Sequence, residues 1–285
     1  MKRHHLFIAI FLTAVAAIAQ TGTSQAPPPA AGPGTAATQP AGPHQPQAKS
    51  KEEYDAFYAA KAKTDPAQAE AAADEFATKF PASELKELLY VSVMNAYQQQ
   101  NNSAKIIAMG RKAIAITPTD PVPLVAVAAA MVMDTRESDM DRDARYTEAG
   151  KDAQAGLDNV DTGLQVPTGV PPESIAAAKA NLRSIAYDTL GVIAMNKKDY
   201  AAAEQSFQKA ADLMKDQPDA VVYLRLSVAQ DNQNKYPQAL DSANKAVQFA
   251  PEGSAEKNLA KQQQARLQKL IADKAPAAAP TTQPH

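Results

Sequence analysis

The chain has 285 residues and a formal net charge of −2, with 29 Lys and Arg against 31 Asp and Glu. Such balance provides no basic stripe to neutralise phosphates, which argues against a nucleic-acid partner. With no Cys there is neither a disulfide staple nor a thiolate metal site. Trp is absent, aromatics make up 6% of residues and Ala is abundant, a composition that suits close helix packing better than a β-sandwich.

Lys2 and Arg3 precede an apolar run from Leu6 to Ile18 that is broken only by Thr13, and Ala17-Ile18-Ala19 gives a small-x-small pattern before Gln20. This is the arrangement of a cleavable export signal over 1–19, cut after Ala19. The run is shorter than the roughly 20 apolar residues of a spanning helix. A periplasmic or secreted protein is expected, with no membrane insertion after signal cleavage. Residues 20–49 are rich in Pro, Ala, Gly, Gln and Thr, and 275–285 repeat that bias. Such segments bury too little apolar surface to offset their ordering entropy, so both read as disordered tethers. One helical domain is expected over 50–274.

Within it, Ala56, Ala60, Ala69, Phe76 and Pro81 outline a first, Ala-rich helix pair. Tyr90, Val93, Tyr97, Ile106, Gly110, Ala113 and Pro118 outline a second, and the two prolines stand 118 − 81 = 37 residues apart. Val122 to Met133 is almost wholly apolar and predicts a buried helix, partnered by Ala144 to Val160. A loop with Gly163, Pro167, Gly169, Pro171 and Pro172 follows, then a helix over about 173–196 that is longer than a repeat helix should be.

The clearest signal comes next. Tyr187, Leu190, Gly191, Tyr200, Ala203, Phe207 and Ala210 are echoed by Tyr223, Leu226, Tyr236, Ala239, Ala246 and Pro251. The offset is constant: 236 − 200, 239 − 203 and 246 − 210 all equal 36. A fixed period of this length is the signature of stacked helical repeats. Gly191 and Ala203 are expected where the two helices cross, with Tyr200 and Phe207 filling space toward the next unit. Asp199 is the expected N-cap of the second helix, and Pro218 marks its end. Residues 255–273 predict a capping helix with Leu259, Leu267, Leu270 and Ile271 on its inner face. The expected fold is all-α, an α-solenoid of about five antiparallel helix pairs, the third irregular, plus a C-terminal cap.

These residues resemble the tetratricopeptide repeat, strongly over 184–253 and more thinly upstream. The departures are Ala194 for an aromatic, Met94 and Ser227 in the Gly position, and Pro218 three residues late. The resemblance implies an interaction scaffold whose first helices line a concave groove. On that template the groove residues are Ser92, Asn95, Gln99, Asp188, Val192, Asn196, Arg225, Val228 and Asn232. The third pair adds Val125, Ala126, Ala129 and Val132 as an apolar centre. The carboxylate clamp of the family's chaperone-tail binders finds only Asn95 and Arg225 as loose matches, so no such clamp is expected. The partner expected is an unidentified envelope protein or peptide; a passive structural role is the alternative.

Catalytic signals are sparse. The four His stand at 4, 5, 44 and 285, outside the helical region. This leaves no His base, no Ser–His or Cys–His nucleophile and no His-based zinc site there. Asp139-x-Asp141-x-Asp143 begins like a calcium loop, but Ala144 stands in the Gly position and Gly150 in the Glu position. No cofactor and no metal are expected. A carboxylate-pair hydrolase needs only Asp and Glu, yet no pair stands out.

Overall fold

A computed structural model describes residues 46–167 and 169–274; the expected export signal, most of the Pro-rich linker and the 275–285 tail lie outside them. The described residues form α1 (Lys51–Lys61), α2 (Pro66–Lys79), α3 (Leu85–Gln99), α4 (Ser103–Ile116), α5 (Pro121–Asp134) and α6 (Arg142–Asn159). There follow α7 (Pro172–Asn196), α8 (Tyr200–Leu213), α9 (Ala220–Asp231), α10 (Tyr236–Phe249) and α11 (Ala255–Lys274). The first ten pair in sequence and α11 closes the stack, giving the all-α solenoid expected. No helix among the described residues is long and apolar enough to cross a membrane.

The helices begin where short polar side chains can take up orphan N–H groups. Ser50 accepts from Glu53 N (3.1 Å), Asp65 from Gln68 N (2.9 Å) and Asp199 from Ala202 N (3.1 Å). Such a cap is worth about 1 kcal/mol. The turns inside three of the pairs are built alike. Asn101, Lys198 and Asn234 all take left-handed backbone, with φ of 53°, 60° and 60°. Each lies eleven residues after its repeat's tyrosine: 101 − 90, 198 − 187 and 234 − 223. The α3–α4 pair is therefore in full register with the two clear repeats, despite its weaker motif.

A second shared device was not apparent from the sequence. Lys112, Lys209 and Lys245 hold their ammonium groups 5.2, 5.1 and 5.6 Å from the ring centres of Tyr90, Tyr187 and Tyr223. The separations are again identical: 112 − 90, 209 − 187 and 245 − 223 all equal 22. Each repeat thus clasps its second helix to its first through a cation over an aromatic face.

The same position pairs also trade large for small. A Cβ on Gly191 would lie 2.5 Å from the Phe207 ring, so Phe207 fills its own pair's crossing, and it also packs in one cluster with Val222 and Leu226 of the next unit's α9. In the α3–α4 pair the roles reverse, with Met94 in the glycine position and Gly110 in the aromatic one. A Cβ on Gly110 would approach Met94 Sδ to 3.1 Å and Val127 Cγ2 to 2.2 Å. Met94 is therefore a compensated exchange of volume and not a lost motif residue. In the α9–α10 pair Ser227 takes the glycine position, and its hydroxyl donates to the Ala239 carbonyl at 2.7 Å.

Helix α5 sits deepest. It packs on α4, α6 and α7, and its partners make room with Gly110 on α4 and Gly156 on α6. That explains why nearly all of its positions are apolar: burial all round needs no polar face. The stacking is asymmetric. The backbones of successive odd-numbered helices approach one another from α1 through α11, whereas the even-numbered helices stand further apart and meet through side-chain ion pairs such as Lys112–Asp74 and Arg111–Asp152. The stack consequently curves, with odd-numbered helices on the inside.

Candidate interaction surfaces

On the inner side, each first helix leaves one stripe incompletely covered. In α3 it holds Ser92, Asn95 and Gln99; in α7 Asp188, Val192 and Asn196; in α9 Arg225, Val228 and Asn232. Ser92, Gln99, Asn196 and Asn232 are exposed, and Val192 and Val228 are half-buried. Several are already engaged by the protein itself. Asn196 and Asn232 donate to the carbonyls of Val192 (2.9 Å) and Val228 (2.8 Å) on their own helices. Asn95 has its Oδ1 buried without a partner.

The expected apolar centre on α5 requires correction. Val125 is 0% exposed and Ala126 and Val132 are also buried, because α6 and α7 cover them; only Ala129 keeps partial exposure. Among the packing residues, Tyr90, Tyr97, Gly191, Ala203, Phe207, Ala210, Leu226, Ala239 and Ala246 are buried, while Tyr187, Leu190, Tyr200, Tyr223 and Tyr236 are half-buried. Pro251 is exposed and ends a helix without packing. On the cap, Leu259 is 54% exposed. It lies eight residues before the fully buried Leu267, a rotation of about 80°, so the inner stripe is instead Lys257, Ala260 and Leu267.

Asp188 and Arg225 form an ion pair between α7 and α9. Burial works against the Arg225 charge, but the pull of Asp188, their hydrogen bond and nearby Asp219 outweigh it and raise its pKa. Asp219 caps α9 through Val221 N at 2.7 Å, and burial pushes its carboxyl above the usual range. The trio joins two repeats across the inner face and leaves Arg225 no free charge for a partner's carboxylate. The acidic segment between α5 and α6 is likewise internally balanced. Asp134 holds Arg145 at 2.8 Å, and Asp139 accepts from Arg136 N at 2.8 Å.

A polar cluster lies deeper. Glu87 on α3 is 1% exposed and accepts from Gln165 Nε2 at 2.6 Å. Burial, with Asp120 beside it, pushes its carboxyl up to about 8. Asp120, the N-cap of α5, is raised by burial as well. Gln165 reaches Glu87 because the loop after α6 runs against the α4–α5 turn. A Cβ on Gly163 would lie 2.0 Å from the Thr119 carbonyl oxygen, so only glycine permits that approach. Nothing in the sequence links residues 78 positions apart.

An open cavity lies elsewhere, at the edge of the stack. It has a volume of about 1210 Å3 and lies between the first turns of α7, the loop residues Leu164, Val166, Pro167 and Val170, and the α8–α9 and α10–α11 turns. It exists because α7 has 25 residues against 12 in α9, so its first half overhangs the following repeats. Sequence reasoning noted the long helix without seeing that the surplus would form a wall.

Repeated helical hairpins in one register, curved with their first helices inward, define the class of this protein: a helical-repeat solenoid. It carries a tetratricopeptide repeat, for that family's model matches residues 185–216. Among solved structures it is similar to a chain of the APC/C hetero-tetramer Cut9-Hcn1, at 14% identity and a TM-score of 0.37, over 76% of this chain and 42% of that one. It thus spans less than half the length of that relative. It is also similar to the assembly chaperone of RpL4 (Acl4), at 10% identity and a TM-score of 0.41, over 78% of this chain and 98% of that one. No curated protein matches it.

Proposed function

We propose that this protein is an exported protein–protein interaction scaffold that holds a partner polypeptide of the envelope against its inner face. The observation that carries the reading is the closer backbone approach of successive odd-numbered helices, whose facing sides make a continuous inner surface from α3 to α9. On that surface Ser92, Gln99, Val192 and Val228 keep area to offer a partner. Helix faces of this kind can read a bound segment through its apolar anchors. The charged N-terminus and the apolar run at Leu6–Ile18 support export.

Photo-crosslinking in cells producing the full chain tests this, with the probe placed at Gln99 or Val228 on the inner face or at Gln208 on α8. Inner positions are expected to capture the same protein, and the paired Val192→Glu and Val228→Glu substitutions to abolish that capture while helicity is retained. Capture from Gln208 alone, or adducts indifferent to the two glutamates, would overturn the inner-face assignment and favour a passive structural role.

A further inference from the structure

The cavity under the α7 overhang has features that the repeat architecture does not require. Its volume, about 1210 Å3, exceeds the ~300–1000 Å3 typical of small-molecule clefts. A stretch of polypeptide is the fitting occupant. The floor is apolar, contributed by Ile175, Val221 and Phe249 among others, and Phe249 remains 36% exposed. The α7 wall presents Ala177 and Ala178, small enough for another backbone to come close. Beside them Asn181 carries an amide that no described residue engages.

Charge identifies the occupant further. Glu173, Asp216 and Glu256 line the cavity beside Asp219, which is taken up by the α9 cap, and no Lys or Arg does. None of the three carboxylates has a cation partner among the described residues. Neighbouring acids are matched: Asp161 holds Arg183 at 2.6 Å and Lys179 at 3.3 Å on the other side of α7. Asp212 has Lys215 at 3.5 Å. The cavity is thus an apolar trough with an uncompensated acidic rim.

We propose that the trough beneath the α7 overhang is a second docking site, which takes an amphipathic segment of a partner polypeptide whose apolar side is flanked by Lys or Arg. Apolar residues of the segment cover Phe249 and Val221, and its cations meet Glu173, Asp216 and Glu256. Asn181 offers a donor and an acceptor to the segment's backbone or polar side chains. Opposite charge at the rim steers association and sets the orientation, while the apolar floor supplies the area that holds the complex. Its α7 and α9 residues continue the inner stripes toward the helix N-termini, Asn181 and Val221 standing seven residues before Asp188 and Val228, so the trough is a distinct end of that face and is probed apart from it by position.

The test titrates the full chain with a labelled 14-residue model helix, leucines on one side and lysines along both borders, followed by fluorescence anisotropy. A matched peptide with glutamates for the lysines is the control. The lysine peptide is expected to bind at least tenfold more tightly than the glutamate peptide. Ala177→Arg, which fills the exposed wall with a like charge, is expected to weaken it at least tenfold, as is Glu173→Lys with Glu256→Lys. Val228→Glu on the inner face is expected to leave it unchanged. Equal binding of both peptides, no binding, or indifference to Ala177→Arg would overturn the proposal. So would a photo-crosslinker at Ala178 that labels only this chain's own terminal segments or a second copy of the protein.

Discussion

The first seven helices and the last four bury their interiors differently. From Phe57 to Ile193 a single cluster runs without interruption and includes Met94, Ile106, Val125, Val127 and Leu182. Beyond it the interior divides into two small clusters, one around Phe207 and Leu226, the other of Ala239, Ala243 and Leu267. Yet the motif is clearest where the core is thinnest. The family pattern specifies how closely two helices cross, which small residues can satisfy alone. The quantity of apolar surface buried is a separate variable, and α5 supplies most of it without any motif.

If the two regions differ in this way, Phe207→Ala should have the largest and most local effect. Its ring is fully buried against Gly191, and truncating a buried Phe costs about 3–5 kcal/mol. In a stack where each repeat leans on its neighbours, the loss should fall on one side. Hydrogen exchange should show lowered protection in α8 to α10 and little change in α3 to α5. A uniform drop across all helices would mean that one cooperative unit spans both regions. Gly191→Met combined with Phe207→Gly would then sharpen the point, because it installs the exchange seen at Met94 and Gly110. The double variant should recover about 0.5–3 kcal/mol relative to the sum of the single changes.

The next effect in size belongs to the larger region. A carboxyl raised from its ordinary range to about 8 favours the folded state while it is protonated. Folding then binds a proton that the unfolded chain releases, so stability declines as pH rises from about 4.5 to 8. Glu87→Gln keeps the shape and removes the titration. Stability against urea at pH 8.5 should rise by about 2–4 kcal/mol relative to the unmodified protein, and the slope between pH 5 and 8 should flatten. The gain should appear in α3 to α5 and be absent from α8 to α11. An unchanged slope would show that the Glu87 and Asp120 pair carries no such proton.

These contrasts mark how far the residues could be read directly. The pairing of helices, the cap at Asp199 and the long α7 were legible because periodicity, capping chemistry and chain punctuation are local. The exchange of Met94 with Gly110 was not, since a motif read position by position hides compensation sixteen residues away. Val125 was misplaced on an open groove because a family template was extended to a pair with no matching turn. The Glu87–Gln165 contact and the trough under α7 depend on how a loop and an overhang come to lie against distant turns. No local pattern encodes that, and the candidate partner surfaces are accordingly the part that sequence resolved least.

The smallest expected effect tests whether the two regions share anything beyond register. The tyrosine–lysine clasp is a side-chain interaction repeated in α3–α4, α7–α8 and α9–α10 with similar geometry. A cation over an exposed aromatic face contributes about 0.5–1 kcal/mol. Lys209→Ala and Lys245→Ala should each cost about that much. Lys112→Ala should cost more, because Lys112 also holds Asp74 at 2.6 Å, and a partly exposed ion pair adds about 0.2–1 kcal/mol. Lys269→Ala, on the exposed face of α11, sets the baseline for losing a lysine alone. The ranking follows from geometry: three equal clasps, one reinforced by a pair that reaches back to α2. If the costs at 209 and 245 equal that at 269 in urea titrations, the repeated spacing of 22 reflects repeat ancestry without energetic weight. If they exceed it while 112 exceeds both, the thin and thick halves of the stack are held by a common fastening, and their difference lies only in what fills the space behind it.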